Sequence, residues 1–518
     1  PAPAAPAPVA ASPTAAAAAA TATRPPTVAA TPTVPKPQAK GKVVLVISSE
    51  LISADALMQS DEPSNRQIFA SVIESLVVRD PKTFQLQGGL AEKWEQVKPD
   101  TWRYTVRKGI KFHNGELFNA DAVVYNLGVI ANKDGAAPLQ KFWPAGGKIT
   151  KVDDNTVEVT STSADPIQPL RMLAMPMIAP KWAKENPEER PIKIIATGPY
   201  KWVEWLKGQF VRITADDAYW GKPATIKDAT VVWRAEAAVR AAMLRTGEAD
   251  WAQDITPDDA KKVPKYAATA SVETAVMRID TLNPALKDQR VRTALNLAFD
   301  KQTMIDKLFA GFAEPAKGQI IGDYVVGFNP DLKPYPYDVE QAKKLVAAAK
   351  AAGIPTDTTE IAVGMSKGRL PRWEEMGESL ADSWGKIGLK PKLLIMEQAA
   401  WTAGHRAIKP GERPWALSAL PLGNDLGDTA QNTESYVQCD GARSTYCNPA
   451  MDAKLKLAGA ATGEERAKLF REVWKQLYDE AVFIPLFRLQ PITGLTKRLN
   501  FTPRMDDRAP IQDMTLSE

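Results

Sequence analysis

"LAEKWEQVKPDTWRYTVRKGIKFHNGELFNADAVVYNL", residues 90–127, changes period partway along. "TWRYTV" (101–106) alternates apolar and polar residues, as a strand with one buried face must. "KGIKFHNGE" then supplies a basic, glycine-marked turn. Asn119 follows in the position of a helix cap, and "ADAVVYNLGVI" continues with helical spacing. The stretch therefore predicts strand, turn, helix. His113 lies in the turn, where a lone imidazole serves as a structural hydrogen-bonder more often than as a base.

Outward from this unit the same mixture continues. "KVVLVIS" (42–48) reads as a buried strand; "NTVEVTS" (155–161) and "FVRITA" (210–215) read as half-buried ones. Asp338 with Gln341 three residues on opens a helix whose inner face is Ala342, Leu345, Val346 and Ala349, closed by Gly353 and Pro355. Val291, Leu295, Ala298, Ile305 and Leu308 predict one helix stopped at Gly311, and Thr462 with Glu465 opens another. These stripes are core packing rather than cofactor boxes. No repeat of solenoid period is present. The pattern is mixed α/β, and 518 residues suffice for two or three lobes.

The chain is 44% hydrophobic and 24% charged, and its net charge of +4 is the remainder of 65 basic and 61 acidic residues mixed along its length. No extended nucleic-acid stripe follows, so no nucleic-acid partner is expected. No stretch reaches the roughly 20 apolar residues of a membrane span. Residues 1–40 are almost wholly Pro, Ala, Thr, Val and Ser. They predict a disordered, semi-rigid tether of at most about 120 Å. With a first residue that is Pro rather than Met, the expectation is an exported, extracytoplasmic protein, lipoprotein-like, held to a membrane only by its N-terminal anchor.

Little chemistry is on offer. There are two histidines, and no phosphate loop, HExxH or dinucleotide fingerprint. Cys439 and Cys447 form no CxxC and have no third sulfur, which argues against zinc; a short-loop disulfide is preferred to two free thiols. "GMSKG" (364–368) matches G-x-S-x-G, with Asp382 and His405 following Ser366 in the order of an α/β-hydrolase triad. A serine hydrolase at Ser366 is thus the alternative from another class. Against it, Pro371 delays any following helix. Neither a metal nor a cofactor is expected.

Six blocks carry a resemblance. They are residues 90–127; "ATGPYKWVEWLKGQFVRITADDAYWGKP" (196–223); "AAVRAAMLRTGEADW" (237–251); "RVRTALNLAFDKQTMIDKLFAGFAEPAKGQI" (290–320); "YPYDVEQAKKLVAAA"; and "ERAKLFREVWKQLYDEAVFIPLF". In this order they resemble the family 5 extracellular solute-binding proteins, the peptide- and nickel-type binding components of ABC importers. The resemblance implies a three-lobed, two-cleft α/β fold of the periplasmic-binding-protein kind. Lobe I would comprise 41–73, 196–279 and 487–518, lobe II the insert 74–195, and lobe III 280–486. Ligand would bind between lobes I and III, with closure about hinges near 280 and 486. Tyr200, Trp220 and Pro199 would be scaffold. The implied protein is a monomer, not an enzyme, whose partners are a small ligand and an importer permease.

Within that frame "GNDLGDT" (423–429) falls where peptide-binding members carry an aspartate that pairs with the ligand's α-amine. By motif position this is Asp425, with Asp428 as the second aspartate and Asn424 beside it; Thr429 stands where the family has proline. An arginine of the preceding segment takes the ligand carboxylate in such members, which nominates Arg369 over Arg372. Trp401, Trp415 and Tyr436 are candidates for the pocket wall. The family also has a disulfide shortly after this loop, which supports the Cys439–Cys447 bridge. The leading ligand is a di- or oligopeptide. A cello-oligosaccharide is the rival, since relatives stack sugars on tryptophan, and nickel is a third with so few histidines.

Overall fold

Lys42–Ile47 is buried along most of its length and lies inside a seven-stranded sheet, as its β-branched run requires. It pairs in parallel with Asp228–Trp233 on one side and Trp251–Ala252 on the other. Strands Phe210–Ala215 and Tyr200–Leu206 extend the sheet beyond Trp233; Ile492–Leu495 and Lys265–Ala268 extend it the other way. The structure is a computed structural model describing residues 39–517, apart from 59–62, 82, 133–137, 145, 371 and 407–412. The tether expected over 1–40 falls outside the described residues but for its last two.

A second sheet of six strands runs Ala313–Pro315, Phe483–Leu489, Glu273–Ile279, Leu417–Gly423, Glu360–Ser366 and Lys390–Met396. Helix Trp373–Lys386 joins the edge strand Lys390–Met396 to its parallel neighbour Glu360–Ser366 and buries Trp373 and Trp384 completely against the sheet. A third, antiparallel sheet of four strands uses Ala91–Lys98, Thr101–Val106, Thr156–Thr160 and Lys148–Asp153. Helix Ala120–Ala131 covers it, and Asn119 accepts from the Ala122 N–H at 3.1 Å, as its cap position predicts. Each sheet has its own apolar core.

Two corrections follow from pairing. Glu273–Ile279, expected in lobe I, hydrogen-bonds into the six-stranded sheet, between Leu417–Gly423 and Phe483–Leu489. The chain therefore passes between the seven- and six-stranded sheets at 269–272 and 490–491 rather than near 280 and 486. The first passage is tied to the end of the strand preceding the second. The Ser271 N–H donates to the Leu489 carbonyl at 3.0 Å, and Arg488 Nε donates to the Ser271 carbonyl at 2.7 Å. The second correction concerns the helix expected from Val291 to Leu308. It is two helices, Gln289–Leu297 and Lys301–Leu308, because the Asp300 carboxylate accepts from the Thr303 N–H and hydroxyl and starts a new helix.

Cys439 and Cys447 are bridged, with Cα atoms 4.4 Å apart. The bridge precedes helix Pro449–Ala460, whose Asp452 accepts from the Cys439 N–H. No helix among the described residues is long and apolar enough to cross a membrane.

Candidate functional site

The loop 423–429 leaves the six-stranded sheet at Gly423 and is fixed from three sides. Asn424 closes it from within: its Oδ1 accepts from the Asp428 N–H at 3.0 Å and its Nδ2 donates to the Asp428 carbonyl at 2.8 Å. Leu426 is buried in the core under the four-stranded sheet. Arg79, from the same region, donates to the Leu426 carbonyl and to the Phe84 carbonyl, and its guanidinium lies over the Phe84 ring. Burial lowers the Arg79 pKa to about 10. Gly427 has φ of 63°, and a Cβ there would come 2.8 Å from Arg79 Nη2, so the position needs glycine twice over.

Asp428 supplies the third attachment. Both carboxylate oxygens accept from Arg466, at 2.7 and 2.8 Å, and one also takes the Ala430 N–H at 2.9 Å. The two side chains are 2% and 4% exposed. Arg466 also donates to the Ala458, Gly459 and Ala461 carbonyls, the open end of helix Pro449–Ala460. Asp428 is thus buried and held by the protein at both oxygens, as a brace of the loop. Asn424, 1% exposed with its amide fully engaged, is likewise an internal brace. Thr429, the departure from the family pattern, gives both its N–H and its hydroxyl to the Val326 carbonyl. Proline could offer neither.

Asp425 is placed differently. Its side chain is 27% exposed and lies 3.7 Å from Arg66 Nη2. Arg66 belongs to helix Pro63–Val72, which packs on the seven-stranded sheet through Ile68 and Val72. Asp425 therefore lies at the junction of the bodies built on the two larger sheets. Beside it, Glu273 and Asp425 flank Gly423: a Cβ there would sit 3.6 Å from Glu273 Cγ and 3.7 Å from Asp425 Oδ2. Arg369 Nη2 reaches Glu273 Oε1 at 3.6 Å, again a long pair. Tyr324 donates its hydroxyl to the Val272 carbonyl, and burial followed by the Asp425 charge pushes its phenol well up.

Two further carboxylates enter the field of this junction. Burial, then the Glu273 charge, holds the Asp507 carboxyl well above its usual range, while Ser271 Oγ donates to it at 2.6 Å. Burial also raises Asp254, with Arg240 working against it. Among the described residues no group of three or more His, Cys, Asp or Glu is placed to hold a metal ion.

The remaining candidates are packed away. Trp401 is 8% exposed and Trp415 4%. The Trp415 ring fills the space left by two glycines: a Cβ on Gly364 or Gly404 would come within 2.6 or 2.3 Å of it. Neither tryptophan presents a face for stacking. Tyr436, 6% exposed, carries the Arg278 guanidinium over its ring and accepts from Arg443 at 2.8 Å. Arg372 is on the surface, paired with Glu375 and in the left-handed region at φ 58°. Of the sequence candidates, the structure brings Asp425 and Arg369 to the junction. Sequence reasoning missed Arg66, Glu273, Tyr324 and Asp507; all four are single polar residues without motif, and only chain pairing gathers them.

The hydrolase alternative has no site. Ser366 is 1% exposed at a strand end, and the next helix starts only at Trp373, so no strand–turn–helix elbow forms. Asp382 is exposed and paired with Lys386. The His405 side chain lies outside the described residues. His113 is a structural bridge: one ring nitrogen bonds the Gly198 carbonyl at 2.9 Å, the other accepts from the Ala196 N–H, and burial lowers its pKa.

Residues 85–443 match the bacterial extracellular solute-binding proteins, family 5 Middle. The chain is 27% identical over 506 residues to the glutathione-binding protein GsiB of Pectobacterium atrosepticum, covering 92% of this chain and 94% of that one. Its fold is similar to that of the ABC transporter substrate-binding protein CtaP from Listeria monocytogenes, with a TM-score of 0.82 at 19% identity over 93% of this chain and 100% of the other. It is similar also to DppA from Helicobacter pylori in complex with the peptide STSA, with a TM-score of 0.77 at 19% identity over 92% and 98%. The chain thus belongs to the family 5 extracellular solute-binding proteins: it is an extracytoplasmic solute-binding component of an ABC importer, and not an enzyme.

Proposed function

We propose that this protein binds a peptide-class zwitterion between the bodies of the seven- and six-stranded sheets and hands it to the importer permease. Asp425 takes the ligand's ammonium and Arg369 its carboxylate. The observation that carries the reading is the contrast within one loop: Asp428 is buried and held by Arg466 through short hydrogen bonds, while Asp425, three residues earlier, is 27% exposed at the junction and 3.7 Å from Arg66 Nη2. A rigid loop of this kind fixes the position of a carboxylate, which is what capture of a buried ammonium requires. The three sheets are read as three lobes, with closure about 269–272 and 490–491. The N-terminal segment is read as a tether to the membrane surface, and the functional unit as a monomer.

A sugar oligomer fits less well, since Trp401 and Trp415 are enclosed. A thermal-shift screen of the full chain against dipeptides, longer peptides, cello-oligosaccharides and nickel tests the assignment. A peptide at about 100 times its dissociation constant stabilises the protein by about 2.7 kcal/mol, which is readily seen. A shift with sugars or nickel and none with peptides would overturn the reading.

A further inference from the structure

Arg79 ends the strand Val77–Arg79, which pairs antiparallel with Leu86–Gly88 and buries Val77 in the core under the four-stranded sheet. Asp80 closes the turn between them: its N–H donates to the Gln85 carbonyl and its carbonyl accepts from the Phe84 N–H, each at 2.9 Å. Phe84 is held there at φ 61°. An aromatic residue enters this left-handed region at a cost and stays only where its surroundings fix it. Two contacts do so. Arg79 Nη1 donates to the Phe84 carbonyl at 2.6 Å with the guanidinium 4.4 Å over the ring, and the Tyr324 ring meets Phe84 edge-on at 5.1 Å.

Both contacts lead out of the hairpin. Tyr324 packs on a core of the six-stranded sheet, and its hydroxyl donates to the Val272 carbonyl, inside the passage between the two larger sheets. Arg79 Nη2 donates to the Leu426 carbonyl of the loop 423–429, and the Leu426 side chain is buried in the hairpin's own body. A single chain of contacts thus runs from the loop to the passage through Leu426, Arg79, Phe84, Tyr324 and Val272. Its middle belongs to the body of the four-stranded sheet, which supplies no strand to either of the sheets that the passage joins. We propose that the 77–88 hairpin is a clip by which this body sets the cleft, with Arg79 and Phe84 as positioning residues. They hold the loop by the Leu426 carbonyl and the passage by way of Tyr324, so that loop and passage shift together. The inference rests on the reading of the three sheets as lobes and is independent of what the ligand is.

Amide hydrogen exchange of the full chain without ligand, in Phe84→Gly and in Arg79→Lys, tests the clip. Glycine takes the φ of 61° without strain, so the first variant gives up the ring contacts and keeps the turn. Lysine keeps the charge of Arg79 and loses the fork that reaches two carbonyls. In both variants exchange is expected to rise at least about threefold over 423–429 and 269–272. In the passage the reporting groups are the Ser271 and Val272 N–H, bonded to the Leu489 and Met505 carbonyls. Lys42–Ile47, inside the seven-stranded sheet, is expected to keep its wild-type rate. Faster exchange confined to 77–88 would make the hairpin a local feature and overturn the proposal. So would an unchanged rate at 269–272, or a rise at Lys42–Ile47 as large as that in the passage. Because no ligand is added, each of these outcomes leaves the peptide reading to its own titration.

Discussion

Asp425→Asn lowers the affinity for a free-amine peptide by at least about 30-fold and leaves the thermal midpoint of the unliganded protein nearly unchanged. Asparagine keeps the shape and gives up the charge. Losing one partner of a buried, hydrogen-bonded charge pair costs roughly 2–5 kcal/mol, and each 1.4 kcal/mol is a factor of ten. The Arg66 contact is 3.7 Å long and Asp425 is 27% exposed, so that ion pair contributes only about 0–1 kcal/mol to the fold. Calorimetry on the variant checks the first half and a melting curve the second. A loss of affinity below about threefold would take the ammonium away from Asp425.

Asp428→Ala has the opposite signature: it costs stability first. The substitution leaves the Arg466 guanidinium, 4% exposed, without its counterion. Breaking a buried pair from one side costs about 3–5 kcal/mol, whereas replacing both partners by apolar groups of similar volume can be nearly neutral. Chemical denaturation should show a loss of that size for Asp428→Ala, and most of it recovered in Asp428→Leu with Arg466→Met. The recovery has a ceiling, since Arg466 also serves the carbonyls of Ala458, Gly459 and Ala461. A single-variant loss under 1 kcal/mol would show that the pair does not brace the loop.

These two aspartates mark how far the sequence can be read. The fold was legible because six blocks in order specify it, and because caps such as Asn119 and Asp338 announce helices by local chemistry that survives in the structure. The resemblance set the passage near 280, and local sequence does not say which sheet takes Glu273–Ile279. Which sheet accepts it is decided by Leu417–Gly423 and Phe483–Leu489, far away in the chain. The break at Asp300 was overlooked although Asp300 and Thr303 have cap spacing, since the apolar stripe runs straight through it.

At the site the limit is sharper. Asp425 and Asp428 have the same side chain in the same turn, and their spacing cannot say which one faces an arginine 38 residues further on. Trp415 looked like a pocket wall because its partners, Gly364 and Gly404, are defined by the side chains they lack. Arg66 sits in a helix with no distinguishing pattern, and its meaning comes only from the loop that folds against it.

The central claim is that Asp425 holds the ammonium of a peptide-class ligand. Its most direct test is calorimetric titration of the wild-type full chain with one bound peptide and the same peptide N-acetylated. Acetylation removes the positive charge and keeps the remainder of the ligand. The account predicts that affinity falls by at least about 30-fold, the same loss as Asp425→Asn, because both remove one half of one charge pair. An N-acetylated peptide that binds as tightly as the free one would contradict it.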